Sequence, residues 1–222
     1  MNYTILFDEL RANVFGGKLK QSQVDGLIDL LKVWEQIAAK RGYASAVHDA
    51  WLAYILATVF HETARLIQPI KELGGEPYFT EMYDILGKRP RVAKRLGNTF
   101  IGDGAKFAGR GYVQLTGRGN YALQSKKHKV DLISQPDLLM TDKALSATIL
   151  MVGMIDGDFT GKKLAHYLHA GKTDFINARR IINGKDKARL IAGYAEKILV
   201  AIQLAIAVDR LSAIESFNYQ GD

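Results

Sequence analysis

From Gly74 to Gly119 the sequence loses every regular hydrophobic period, and Gly74-Gly75, Gly102-Asp103-Gly104 and Gly109-Arg110-Gly111 punctuate a largely polar stretch. A segment of that length without periodicity is uncommon inside a compact chain unless it forms a functional loop or the wall of a cleft. The rest of the chain must therefore supply a rigid scaffold that carries it. Within the segment only Tyr112-Val113-Gln114-Leu115-Thr116 alternates as a short strand would.

The scaffold reads as helical. Val24, Leu27, Ile28, Leu31 and Trp34 recur at three- and four-residue spacing, predicting an amphipathic helix over 22–39 with Ser22 as its N-cap. After a break at Gly42-Tyr43, a second helix is predicted over 48–67, with Trp51, Ile55, Val59 and Glu62 near one stripe. Beyond Pro136 the spacing predicts helices over 142–155, 174–182 and 187–214. In the last of these the apolar run 198–208 is interrupted by Gln203 and too short to span a bilayer, so it is expected as a buried helix. No linker or repeat divides the 222 residues. One domain is predicted, with an N-terminal helical segment over 1–45 packed on a core over 46–215.

Composition removes several classes of function. There is no cysteine, hence no disulfide, thiolate nucleophile or thiolate-bound zinc. His61-Glu62-Thr63-Ala64-Arg65 puts Arg65 where a zinc protease needs its second imidazole, and a cation there repels a metal. No metal and no cofactor are expected. The net charge of +7 favours a polyanionic partner, whether nucleic acid, anionic lipid or cell-wall polymer. The basic residues look scattered, with short clusters such as Lys126-Lys127-His128-Lys129 and no arginine-rich arm, so nucleic acid is not the expected partner. Asp8 and Glu9 stand where a signal peptide would have a basic start and an apolar stretch, so no secretion signal is expected.

What chemistry remains centres on carboxylates. Burial disfavours a charged carboxyl, so Glu62 on the inner face of its helix is suited to donate a proton to a leaving oxygen. Glu72 lies past the Pro69-Ile70-Lys71 helix end, beside a lysine, and is suited to remain ionised. Two carboxyl groups held apart in this way are the minimal machinery of glycoside hydrolysis. The alternative is structural: most helical glutamates are solvated or paired, and Arg65 or Lys71 would serve as partners.

His61-Glu62-Thr63, Gln68-Pro69-Ile70-Lys71-Glu72, Gly109-Arg110-Gly111-Tyr112-Val113-Gln114-Leu115-Thr116, Asn120-Tyr121 and Ile181-Ile182-Asn183-Gly184 resemble, in order, the motifs of glycoside hydrolase family 19. That family comprises chitinases and phage or bacterial endolysins. The resemblance implies a mainly α, or α+β lysozyme-like, fold: a bilobal helical body with the glycine-rich region lining a substrate cleft. It implies Glu62 as general acid, Thr116 as a holder of the attacking water, and Glu72 as the base of an inverting reaction. Glu76, Glu81 and Asp84 are rivals for the last role, because in plant-type chitinases the second carboxylate lies further along the chain. His61, Gln114, Asn120, Tyr121 and Asn183 are implied to contact sugar, amides being suited to N-acetyl and hydroxyl groups. Asn183 before Gly184 also fits plain turn chemistry, and Lys185 stands where the family often has another glycine. Arg110 is expected as an ion-pair partner of a cleft carboxylate.

The resemblance further implies a phage or prophage endolysin. As an N-acetylmuramidase it would cut the β-1,4-linked peptidoglycan strand and cause lysis. It would be a monomer without membrane insertion, waiting in the host cytoplasm for a holin-type permeabiliser before acting in the periplasm. The same carboxylates would serve a chitinase acting on N-acetylglucosamine polymers. A different class of alternative is a silent wall-binding or membrane-active protein, its basic surface and apolar C-terminal helix disrupting lipid.

Overall fold

A computed structural model describes residues 1–218. In chain order the elements are α1 (Tyr3–Asn13), α2 (Gln21–Arg41), α3 (Ala46–Glu62), β1 (Ile70–Lys71), α4 (Glu76–Tyr83), α5 (Pro90–Arg95), α6 (Asp103–Lys106) and β2 (Arg110–Gly111). They continue with α7 (Arg118–His128), α8 (Leu138–Thr141), α9 (Lys143–Asp156), β3 (Leu168–His169), β4 (Lys172–Thr173), α10 (Phe175–Ala178) and α11 (Ala188–Asn218). Short 3-10 turns cover Leu164–His166 and Arg179–Ile181. The fold is mainly helical and lysozyme-like, as expected. By its internal contacts the chain forms two compact units, one of Met1–His61 together with the chain from Val152 onward, the other of Glu62–Met151.

The first unit is built on α3 and α11. Every residue of α3 from Ala50 to Phe60 is buried, and Trp51 donates its indole N–H to the Leu168 carbonyl at 2.8 Å. The helix is thus apolar all round, which is how a central helix differs from a surface one. On α11, Ile191, Ala192, Ala195, Ile198, Ala201, Ile202 and Ala205 form the buried stripe, with α1 and α10 packed along the helix. The expectation of a buried C-terminal helix holds for that face alone. By length and composition Ala188–Ile214 could cross a membrane, less than half of it is buried, and Leu190, Val200, Leu204, Leu211 and Ile214 are exposed.

Several expected boundaries move. The N-cap of α2 is Lys20, leaving Ser22 inside the first turn, because the extended backbone that ends a helix already occurs at Lys20. Helix α3 stops at Glu62, five residues short of the expected Ile67. Ala64, Arg65 and Ile67 all take positive φ there, and the Ile67 N–H is captured by the Thr63 hydroxyl at 3.0 Å.

In the second unit the irregular region is not structureless. It carries α4, α5 and α6, the first two with a proline in their opening turn, and α6 packs on α4. The expected strand at Tyr112–Thr116 is a turn: β2 lies just before it and pairs antiparallel with β1, Ile70 opposite Gly111 and Lys71 opposite Arg110. Backbone hydrogen bonds run both ways between Arg110 and Leu115, so Gly111 to Gln114 make the turn itself. Alternation in so short a run cannot separate a strand from the two arms of a tight loop.

Candidate active site

Glu62 closes α3 as its last residue and is half-buried, as is His61 before it. The three residues at positive φ follow within five positions. Left-handed backbone costs a non-glycine residue on the order of 1 kcal/mol, and such residues gather at functional sites. Gln114, in the Gln-Leu-Thr block, is also left-handed at φ 53°.

Glu72 follows β1 directly, and β-pairing delivers it to the Gly109 backbone: its N–H donates to the Gly109 carbonyl at 2.8 Å, and its Oε2 accepts from the Gly109 N–H at 3.2 Å. Its Oε1 accepts from the Tyr83 hydroxyl at 2.7 Å. Burial, and then the bond to Glu72, pushes the Tyr83 hydroxyl well above the usual tyrosine range, so it stays a donor at any working pH. Both carboxylate oxygens are thereby held in place.

Gly109 is the point on which the site turns. A Cβ built there would lie 2.9 Å from Gln114 Oε1, 3.1 Å from Glu72 Oε2 and 3.2 Å from Thr116 Oγ1. Three polar side-chain atoms therefore converge on one locus, and any residue but glycine would occupy it. The Gln114 Nε2 donates to the Ile70 carbonyl at 2.9 Å and to the Gly111 carbonyl at 3.3 Å, fixing its Oε1. The Thr116 hydroxyl donates to the Gln114 carbonyl at 2.9 Å, so Oγ1 has only lone pairs left to offer. Asn120, on α7, donates from Nδ2 to the Thr116 carbonyl at 2.7 Å and holds that backbone.

The other expected residues fall elsewhere. Tyr121 is fully buried; its hydroxyl donates to the Ala108 carbonyl at 3.1 Å, and burial pushes it up to about 12. It supports the 108–110 segment from beneath and has no surface with which to touch sugar. Arg110 is an ion-pair residue as expected, but its partner is Asp137 at 2.6 Å, with Nη1 on the Lys106 and Ala108 carbonyls. Asn183, exposed and in the first unit, accepts from the Gly184 N–H at 2.8 Å in a local turn. Of the rival carboxylates, Glu76 is exposed in the first turn of α4, and Glu81 is exposed and paired with Lys88 at 2.8 Å. Asp84 is fully buried and accepts from the Gly102 N–H at 2.7 Å and the Gly104 N–H at 3.4 Å, tying α4 to α6.

Sequence reasoning missed Tyr83, which no motif flags, and the polar web behind it. Asn98 donates from Nδ2 to the Tyr83 carbonyl at 2.8 Å and accepts from the Arg118 N–H at 2.7 Å. Arg118 in turn meets Asp103 at 2.6 Å. Burial pushes Asp103 up, but the Arg118 guanidinium and the Phe100 and Thr99 N–H groups outweigh it and hold the carboxyl below the usual range. Among the described residues no group of three or more His, Asp or Glu is placed to hold a metal.

The class of fold, mainly helical and lysozyme-like, narrows on comparison with known proteins. No protein-family model matches the chain. Over 43 residues it is 46% identical to the acidic endochitinase of Petunia hybrida, a stretch amounting to 19% of this chain and 17% of that protein's length. The crystal structure of chitinase C from Streptomyces griseus HUT6037 superposes with a TM-score of 0.56 at 22% identity, over 90% of this chain and 74% of that one. A bacterial family 19 chitinase superposes with a TM-score of 0.59 at 21% identity, over 89% and 92%. The chain has the fold of the family 19 chitinases.

Proposed function

We propose that the chain is a family 19 glycoside hydrolase that cuts β-1,4-linked amino-sugar polymer by single displacement, with Glu62 as general acid and Glu72 as general base. The observation that carries this is the convergence of Glu72 Oε2, Gln114 Oε1 and Thr116 Oγ1 on the face of Gly109. All three are acceptors towards that locus, since the Thr116 proton is committed to the Gln114 carbonyl. A water bound there gives one hydrogen to Glu72 and one to Thr116, which turns its lone pair outward for attack. As the water's oxygen bonds to the anomeric carbon, Glu72 takes its proton and the acid protonates the departing oxygen. Glu76, Glu81 and Asp84 each lack such a setting, which favours Glu72 as base.

The substrate we propose is bacterial peptidoglycan, cleaved as an endolysin cleaves it, with release through a permeabilised inner membrane. The second reading, a chitinase, is favoured by the similar proteins, an endochitinase and two bacterial chitinases. Turbidity clearing of outer-membrane-permeabilised bacteria, with mass spectrometry of the fragments, separates the two. Wild type should clear the suspension and release muropeptides, and Glu62→Gln should be slower by roughly a hundredfold or more, since its amide keeps the shape and removes the proton. Full activity in a folded Glu62→Gln protein would refute the assignment.

A further inference from the structure

Between Asp84 and Asp103 there is no acidic residue, whereas Lys88, Arg89, Arg91, Lys94 and Arg95 crowd into the turn before α5 and the helix itself. All five are exposed. Lys88 is paired with Glu81, while Arg89, Arg91, Lys94 and Arg95 take part in no salt bridge among the described residues. Four like charges within seven residues repel one another, which is unfavourable unless an anion compensates them. The strip is also not remote from the chemistry. Arg89 begins six residues after the Tyr83 that bonds Glu72, and its charge acts on that hydroxyl against the upward push of burial. Leu86, two residues before the run in sequence, is exposed, as are Phe100 and Ile101 in the loop that the Asp84 carboxylate ties to the α4 end.

We infer that the 89–95 strip is a docking surface for an anionic substituent of the glycan, namely the free carboxylates of the stem peptides that peptidoglycan bears and chitin lacks. This rests on the glycan-hydrolase reading and deepens it: the strip selects the peptide-bearing polymer while Glu62 and Glu72 act on a bond that both polymers share. The exposed Leu86 and Ile101 give apolar contact to the methyl groups of such a peptide. A guanidinium fork is matched to a carboxylate, and three of the four unpaired cations are arginines. Nucleic acid would answer to the same charge, but the glycan-hydrolase reading calls for a polymer that passes Glu72, and Arg89 is near enough to act on the Tyr83 hydroxyl that bonds it.

The test is co-sedimentation of Glu62→Gln protein, so that nothing is digested, with intact sacculi, with sacculi stripped of stem peptides by an amidase, with colloidal chitin, and with duplex DNA in a gel-shift arm. Changing Arg89, Arg91, Lys94 and Arg95 together to Gln should weaken binding to intact sacculi by roughly tenfold at low salt, and much less near 0.5 M salt. Binding to chitin, which carries no carboxylate, should not change, and binding to stripped glycan, which keeps one lactyl carboxylate on each muramic acid, should fall much less than binding to intact sacculi. Restoring charge with Arg89→Lys, Arg91→Lys and Arg95→Lys should recover most of the binding. The single reversal Arg89→Glu gives the same ordering should the quadruple variant lose its fold. Undiminished binding to intact sacculi, an equal loss on all polymers, or a loss confined to DNA would overturn the inference. Catalysis is scored separately: wild type that digests chitin but leaves sacculi whole refutes the peptidoglycan substrate whatever the strip binds.

Discussion

At the scale of single residues the site depends on what is absent from Gly109 and on what Tyr83 donates. A methyl group at 109 would stand 2.9 Å from Gln114 Oε1, whose amide is pinned to Ile70, and within 3.2 Å of Glu72 and Thr116. Overpacking of this sort costs about 1 kcal/mol when side-chain ends can yield, whereas catalytic geometry tolerates far less. Gly109→Ala should therefore fold, with a melting midpoint within a few degrees of wild type, and lose roughly a hundredfold in kcat. A fully active Gly109→Ala would show that the locus is not where water is held. Tyr83→Phe removes one of the two donors on Glu72 while keeping the ring that stacks on Phe79. Its kcat on a soluble chitooligosaccharide should fall by about tenfold with KM nearly unchanged, the signature of a positioning residue. A rise in KM alone would make Tyr83 a substrate contact.

At the scale of elements, the second unit holds its short helices by polar ties more than by long hydrophobic faces. Helix α6 has only four residues, and its Asp103 joins the Arg118 guanidinium at the start of α7, with Phe100 and Phe107 stacked against that guanidinium at 4.8 Å each. Asp103 is 2% exposed and Arg118 is partly solvated, so breaking the pair should cost about 2 kcal/mol, below the range for fully buried pairs. Because folding lowers the affinity of Asp103 for its proton, this stability is present above the ordinary carboxylate range near pH 4 and is lost as pH falls through the lower folded value. Asp103→Asn should then melt lower than wild type at pH 7, with the gap narrowing below pH 4 in a calorimetric pH series. A gap that is constant across that series would mean that the pair is not linked to folding through this proton.

At the scale of the whole molecule, charge is unevenly shared: the 90 residues of Glu62–Met151 hold 14 of the 30 Lys and Arg but only 9 of the 23 Asp and Glu. The basic residues look scattered along the sequence, and it is the uniform exposure of Lys88, Arg89, Arg91, Lys94 and Arg95 and the reach of Arg89 to Tyr83 that set this run apart. By itself the sequence determined the long helices α2, α3, α9 and α11, because apolar residues repeating every three or four positions, or filling a whole helix as in α3, are a local property of the chain. The ordered motifs named Glu62, Glu72 and Thr116 as candidates, and the last two meet at Gly109. Tertiary structure alone decided where α3 ends, since Ile67 N–H turns to Thr63 instead of continuing the helix. It decided that Tyr121 and Asp84 are buried props and that Arg110 answers Asp137, because ion pairs and buried hydroxyls find partners 13 to 27 residues away in sequence. It decided too that Glu72, Gln114 and Thr116 share one locus. A two-residue pairing of β1 with β2 brings them together, and no local pattern encodes a contact that spans nearly forty residues.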